Sequence, residues 1–372
     1  MWLQSKDEYM KVLLINPIMY TSETSSVPRT VSIKDCMAYD LCLAFKELGC
    51  EVTLVAAEPF KPYAEEEYPF EVVWMDCLCP RIFKPNCLPF LSGLRKFLRF
   101  EGDTFDLVIS SEVFSINSLI ACRSLDGKVA IWHELSKHNA IFKKIPSIIW
   151  YNLVARFAMR DATVVARSKE AQSFIARYCK NVSGKIIEHG VNLDVFTTSD
   201  AVRNQFIVCS QLIPRKQIDG IIKCFAEYTK HYDANTFLYI VGDGEEREAL
   251  QMLSHELKLD ENVVFTGKLP HSELLGILNA SWALLVNTSK DNNMVSIVES
   301  IAVGTPVVTT DVPLNASYIK RESLGIVKAR WGEDDLREIV VNHETFRANC
   351  LRYRNGLSTS CKAQEFLNLC DR

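Results

Sequence analysis

The stretch "TSKDNNMVSIVESIAVGTPVVTT", residues 288–310, holds two carboxylates, Asp291 on a polar run and Glu299 inside an apolar one. Met294, Ile297, Val298 and Ile301 recur at i, i+3, i+4 and i+7, the stripe of an amphipathic helix. Ser296, Glu299 and Ser300 share the other face. Gly304 suits the position just past a helix, and Thr305-Pro306 stops it. "VVTT" then reads as a strand. A strand end, a loop, a helix and a strand in 23 residues is the repeating step of a parallel α/β fold. The loop delivers a helix N-terminus to a strand's carboxyl end, where free N–H groups and the helix dipole favour an anion. Glu299 lies over one turn further in, within reach of hydroxyls on the same ligand. Ser296-x-x-Glu299 also fits a capping box, which needs no ligand. Both readings stand on these residues alone.

The same step repeats in both directions. Upstream, "NQFIVCSQ" (204–211), "NTFLYIVGDG" (235–244), "NVVFTG" (262–267) and "SWALLVNTS" (281–289) read as strands. Helical segments at 218–232, 245–257 and 271–279 alternate with them. An earlier set contains "KVLLINP" (11–17), "EVTLVAA" (51–57), "EVVWMD" (71–76), "FDLVISSE" (105–112), "KVAIWHE" (128–134) and "ATVVARS" (162–168), with helices at 34–49 and 146–160. Continuous apolar strands of this kind belong to parallel sheets covered on both faces. The expected fold is α/β, two doubly wound Rossmann-like domains facing a cleft. The expected limits are 1–198 and 199–345, with a helical tail, 346–372, packing back on the first domain. Ligands in such sheets sit outside the carboxyl ends of the strands, so the cleft is the expected active site.

Length and composition exclude several classes. At 372 residues the chain suits two domains, and its formal net charge of -4 gives no basic footprint for nucleic acid. The 13 cysteines form no C-x2-C pair, which reads as free thiols in a reducing compartment. The N-terminus reads as a first strand, not a signal peptide, and no apolar run of about 18 residues stands anywhere, so a cytoplasmic protein is expected. Walker A, nucleophile-elbow, H-E-x-x-H and D-x-D patterns are missing, against an NTPase, a serine hydrolase, a zinc protease and a metal-bound nucleotide. Neither a cofactor nor a metal is expected.

Four other places could carry chemistry. In "QLIPRKQID" (211–219), Arg215 and Lys216 follow a strand and could neutralise phosphate; they could equally be solvated basic residues at a helix start. "VGDGEEREAL" (241–250) has Gly242 and Gly244 for a tight turn, but Arg247 stands where a dinucleotide fingerprint needs its third glycine. In "FTGKLPHSEL" (265–274), Gly267 and Lys268 could border a base, or form an ordinary turn. His133 ends a strand in "IWHELSKH", a place for hydrogen-bonding a reacting group or for a structural histidine. Beyond these, residues 81–100, "RIFKPNCLPFLSGLRKFLRF", interleave five basic residues with aromatics and leucines and carry no acid. Such a segment suits an anionic membrane surface, or a helix packed on the sheet.

Taken in order, these segments resemble the retaining glycosyltransferases of family 4, which have the glycosyltransferase-B architecture. The resemblance runs from about 186 to 328, through "IIEHGVNLDVF", "VCSQLIPRKQID", "IVGDGEEREAL", "VVFTGKLPHSELLGILNASWALLVNTS" and "DNNMVSIVESIAVGTPVVTT". The first half matches in its strand pattern and in "IWHE". The resemblance implies that Asp291 and Glu299 take the places of the family's paired glutamates, contacting donor sugar and ribose. It implies that Lys216 binds the diphosphate, that Asn293, Met294 and Val295 offer backbone N–H groups to sugar and phosphate, and that His133 lies near the reacting centre. Three features depart from the family. The first glutamate is an aspartate, Gln211 replaces an arginine that Arg215 could stand in for, and "IMYTSETSSVPRT" (18–30) replaces a Gly-Gly loop. The implied activity is metal-independent transfer of a sugar from a nucleotide-diphosphate donor to a sugar or lipid-linked acceptor, with retention, in polysaccharide or glycoconjugate assembly. An epimerase or phosphorylase on the same fold, or a degenerate sugar-nucleotide binder, are the rival readings. The implied partners are the donor and the acceptor; contact with the inner face of a membrane through 81–100 is one of the two readings its own residues leave open, and nucleic acid is not among the partners.

Overall fold

The computed structural model describes residues 9–20, 32–125, 127–139, 141–201 and 203–369. Two compact units divide the chain, Met1–Glu188 with Thr359–Arg372, and His189–Ser358.

The first unit is a seven-stranded parallel sheet of β1 (Lys11–Ile15), β2 (Glu51–Ala57), β3 (Glu71–Met75), β4 (Leu107–Ser111), β5 (Val129–His133), β6 (Thr163–Ala166) and β7 (Val182–Ile186), ordered 3-2-1-4-5-6-7. Its helices are α1 (Met37–Glu47), α2 (Leu94–Glu101), α3 (Ile116–Ser124), α4 (Ile145–Ile149), which continues as π-helical turns over Trp150–Ala158, and α5 (Lys169–Ile175). The leucines of 81–100 turn inward, while Ile82 and Phe100 are exposed. Leu91, Leu94 and Leu98 are in the core, Phe97 packs on Phe105 and Phe83 on Phe90, while Arg95, Lys96 and Arg99 face outward. Of the two readings of this segment, the packed helix describes its leucines, which complete the sheet's own core. The loop 18–30, where the family has Gly-Gly, lies mostly outside the described residues.

The second unit repeats the order with six parallel strands, β8 (Gln205–Cys209), β9 (Phe237–Val241), β10 (Val263–Gly267), β11 (Ser281–Val286), β12 (Val307–Thr309) and β13 (Gly325–Val327), arranged 10-9-8-11-12-13. Alternate strand residues feed two cores. Ile207, Val241 and Leu284 pack against α8 (His271–Asn279), α9 (Val295–Ala302) and α10 (Ala316–Glu322). Phe206, Val208, Ile240 and Leu285 pack against α6 (Ile218–His231), α7 (Arg247–Glu256) and α11 (Glu333–Val341). Burial of both faces explains why these strands read as unbroken apolar runs.

The observed division departs from the sequence limits at both ends. Residues 189–198 belong to the second unit, because Phe196 packs in its core and Val191 bridges Ser358. The polar tail splits. Helix α12 (His343–Tyr353) packs on α9 in the second unit, and only α13 (Thr359–Leu367) lies against α1 in the first. There Phe366, fully buried, meets Trp132 edge-on at 5.5 Å and Phe45 at 6.4 Å between ring centres. Phe366→Ala is expected to destabilise the first unit by about 3–5 kcal/mol, read as a lowered denaturation midpoint.

A second prediction follows from His343, which is buried against Trp282 and hydrogen-bonds its carbonyl at 3.0 Å. Burial, aided by the Arg203 guanidinium, pushes its pKa down to about 4. A group held neutral in this way binds its proton more readily when unfolded, so its contribution is full above pH ~6.5 and is lost as pH falls toward 4. Thermal melts of wild type should therefore fall over that window, and His343→Phe should flatten the fall.

Candidate functional site

In the second unit the order reverses between β8 and β11. Connections from these neighbours leave toward opposite faces of the sheet and open a crevice at their carboxyl ends. Cys209, Ser210, Lys216, Val286, Asn287, Thr288 and Met294 line it, around about 220 Å3 of empty space.

Past β8, a 3-10 turn over Pro214–Lys216 ends at Gln217, whose left-handed backbone (φ 48°) starts α6. The turn throws Lys216 inward, where it is only 9% exposed. Past β11, the loop brings Asp291 to meet it. One carboxylate oxygen, Oδ2, accepts from Lys216 Nζ at 2.6 Å, Arg215 Nη1 at 2.9 Å and Thr288 Oγ1 at 3.0 Å. Arg215 also donates to the Lys290 carbonyl at 2.9 Å, and Thr288 to the Arg215 carbonyl at 3.1 Å. Lys216, Arg215 and Asp291 thus form one cluster with two cations on one acid. Of the two readings open for Arg215 and Lys216, solvated residues at a helix start do not describe what is seen.

Helix α9 begins at Val295 with Met294 as its N-cap and no side-chain cap. Ser296 and Glu299 are therefore too far into the helix for a capping box. Ile297 through Ala302 are all buried, and Glu299 with them, at 6% exposure. Its Oε1 lies 3.5 Å from His271 Nε2 at the start of α8, and His271 packs edge-on to Phe196. Burial pushes the Cys209 thiol far up; Glu299 pushes it further and Lys216 opposes, which places Cys209 between acid and lysine. Asn293 and Val295 flank the N-cap, both half-buried. The Met294 N–H, expected to face the ligand, instead donates to Asn315 Oδ1 at 2.6 Å. Asn315 is buried and also bonds Tyr318, so it fixes the loop and takes this donor away.

The two glycines are joined to each other. Gly242 N–H donates to the Gly267 carbonyl at 2.9 Å. Gly242 has φ +137°, and a Cβ there would lie 1.8 Å from the Ser210 carbonyl oxygen. It is the closeness of backbone to backbone that requires glycine at 242. Gly267 has φ +76° and only the Arg247 guanidinium, at 3.4 Å, near its missing Cβ. Gln211 is half-buried with Oε1 unpartnered, and Lys268 is exposed beyond β10. No contact joins either to the Lys216 cluster.

His133 lies in the first unit. It is fully buried, ringed by Phe174 and Tyr151, with Nδ1 2.8 Å from Glu112 Oε2. Glu112 adopts φ +67° and its other oxygen accepts the Glu134 N–H at 2.7 Å. His133 ends β5 at its carboxyl end, and a histidine so enclosed offers no exposed nitrogen in this structure. Glu112, His271, Thr288 and Asn315 escaped the sequence reading. Each lies on a polar strand end or helix start, with no periodic signal to mark it.

Two family patterns match in tandem, Glycosyltransferase Family 4 over residues 37–195 and Glycosyl transferases group 1 over 195–340. The chain belongs to these glycosyltransferases. Among solved structures, sucrose-phosphate synthase from Thermosynechococcus elongatus shares the fold with a TM-score of 0.69 at 15% identity, covering 97% of this chain and 98% of that one. HepE of Anabaena, in complex with UDP and glucose, has a TM-score of 0.67 at 14% identity, covering 98% and 100%. Both units are Rossmann-like, as in the glycosyltransferase-B fold. The alpha-monoglucosyldiacylglycerol synthase of Streptococcus pneumoniae is 23% identical over 53% of this chain and 47% of its own. LpsD, a lipopolysaccharide core glycosyltransferase of Rhizobium meliloti, is 36% identical over 26% of each. The chain spans about half or less of the length of such curated relatives.

Gly242→Ala should cost at least about 1–3 kcal/mol in thermal or chemical denaturation, since backbone must move to admit the methyl. Gly267→Ala, with only left-handed strain to bear, should cost about 1–2 kcal/mol.

Proposed function

We propose that this chain transfers a sugar from a nucleoside-diphosphate-sugar to an acceptor hydroxyl, with retention at the sugar carbon and without a metal. The observation that carries the reading is the convergence of Lys216 and Arg215 on a single oxygen of Asp291 at the β8–β11 switch point. Two cations beside one acid, at the carboxyl end of a Rossmann-like sheet, suit a diphosphate. Family membership and the UDP and glucose in the HepE structure support the same donor class.

In this reading the diphosphate draws Lys216 and Arg215 onto its oxygens, and Arg215 supplies what Gln211 lacks. The uncapped first turn of α9 adds its dipole through the N–H groups beyond Met294. Asp291, released in part from the lysine, accepts from a donor-sugar hydroxyl. Glu299, held by His271, accepts from the ribose. As the bond from sugar C1 to the phosphate oxygen breaks, charge grows on the leaving diphosphate, and the preformed cations stabilise it. The acceptor oxygen bonds C1 from the same face and its proton passes to the leaving phosphate oxygen. The names of the relatives, a glucosyldiacylglycerol synthase and a lipopolysaccharide core glycosyltransferase, support a role in glycoconjugate or polysaccharide assembly.

Lys216→Ala should lower transfer by about 100-fold or more while circular dichroism stays that of wild type. Wild-type turnover in this variant would sink the proposal. Nucleoside diphosphates should raise the melting temperature of wild type and not of the variant. Stabilisation by a donor with no turnover against any acceptor would make the chain a binder instead.

A further inference from the structure

Helix α4 and the π-helical turns after it carry an apolar stripe on the outside of the first unit. Ser147, Tyr151, Ala155 and Met159 face inward at four-residue spacing and are buried. Tyr151 anchors the segment within the rings of Phe114, Phe174 and Tyr178, and Trp150 donates to the Val113 carbonyl at 2.8 Å. The opposite side presents Ile145, Ile148, Ile149, Leu153 and Phe157, between 42% and 67% exposed. Five large apolar side chains in register on one helical face are unusual for a surface that meets only water.

The polar residues around this stripe are of one sign. Lys143, Lys144, Arg156 and Arg160 lie within 143–160, all exposed, and that segment holds no Asp or Glu. Asp161, just beyond, pairs with Arg160 at 3.3 Å, but both are mostly exposed and such a pair is weak. Lys143 and Lys144 both take left-handed backbone (φ 55° and 69°) at the start of the helix. Apolar side chains flanked by long basic ones fit a lipid interface, where the chains enter the acyl boundary and the ammonium and guanidinium groups meet anionic headgroups. No helix among the described residues is long and apolar enough to cross a membrane, so the contact is one of lying on the surface.

We infer that residues 143–160 dock the first unit on an anionic lipid surface, through Ile145, Ile148, Ile149, Leu153 and Phe157 with Lys143, Lys144 and Arg156 around them. This does not rest on the sugar-transfer reading, and it places the contact on 143–160 and not on 81–100, where Leu91, Leu94 and Leu98 are in the core and the exposed Ile82 and Phe100 stand far apart in the sequence.

The test is co-sedimentation of the full chain with phosphatidylcholine vesicles, with and without phosphatidylglycerol. Wild type should bind the phosphatidylglycerol vesicles, and less so as salt rises. Leu153→Ser with Phe157→Ser should weaken this roughly tenfold or more. Lys143→Gln with Lys144→Gln should weaken binding to the anionic vesicles by about tenfold and leave neutral vesicles unaffected. Ile82→Ser with Phe100→Ser, exposed residues of the other basic segment, should bind as wild type does. All substituted apolar positions are exposed, so unchanged thermal melts confirm intact folds. Failure of wild type to sediment, or undiminished binding by Leu153→Ser with Phe157→Ser, would overturn the inference. So would a self-association lost in that variant without any lipid binding, which would assign the stripe to a second copy of the chain.

Discussion

Neighbouring parallel strands whose connections depart to opposite faces cannot have their carboxyl ends covered by either connection. Strands β8 and β11 are such neighbours, and the crevice they leave sets the chemistry of the second unit. The loop after β8 must rise and turn into α6, and the loop after β11 must do the same into α9. Arg215, Lys216 and Asp291 occupy those loops, 75 residues apart in sequence and in contact in space. Because the sheet is covered on both faces by cores of its own, the loops rest on a frame that has little freedom to yield.

The charges in the crevice are arranged by burial as much as by pairing. Lys216 is nearly enclosed, and a buried ammonium is tolerated where an anion meets it. Asp291 serves that need in the protein as it stands, which keeps the lysine extended toward the strand ends. Glu299 is deeper, on a helix whose second half is buried on every side. Its contact with His271 ties the beginning of α8 to the middle of α9. Glu299 and Lys216 both act on the buried Cys209 thiol, one raising its pKa and the other opposing.

Much of this was legible in the chain itself, because parallel strands buried on both sides announce themselves as short runs of Val, Ile and Leu. Strands β7 and β13 and helices α3, α5, α10 and α11 were not, being short or mixed in polarity. The pairing of Lys216 with Asp291 could be suspected from a strand-end position, but its partner Thr288 could not, since a threonine after a strand is common. The direction in which a helix residue faces was the harder matter. Glu299 and Ser300 were assigned to a polar face by periodicity, yet α9 lies between the sheet and α12, so both faces are inside. The same limit leaves two readings for 81–100, a membrane-facing segment or a helix packed on the sheet, and its leucines pack inward. His133 ends a strand as expected, but only coordinates reveal that aromatic rings close over it.

The return of α13 has a consequence for the order in which the molecule assembles. The second unit is one continuous stretch, 189–358, whereas the first needs residues on both sides of it. During synthesis, domains ordinarily complete themselves from the N-terminus onward. Here the sheet that is made first stands without Phe366 and Ala363 in its core until the whole of the second unit has emerged. The later-made half closes first, and the earlier-made half waits for the chain's final turns, carrying an open apolar seam beside α1 in the meantime.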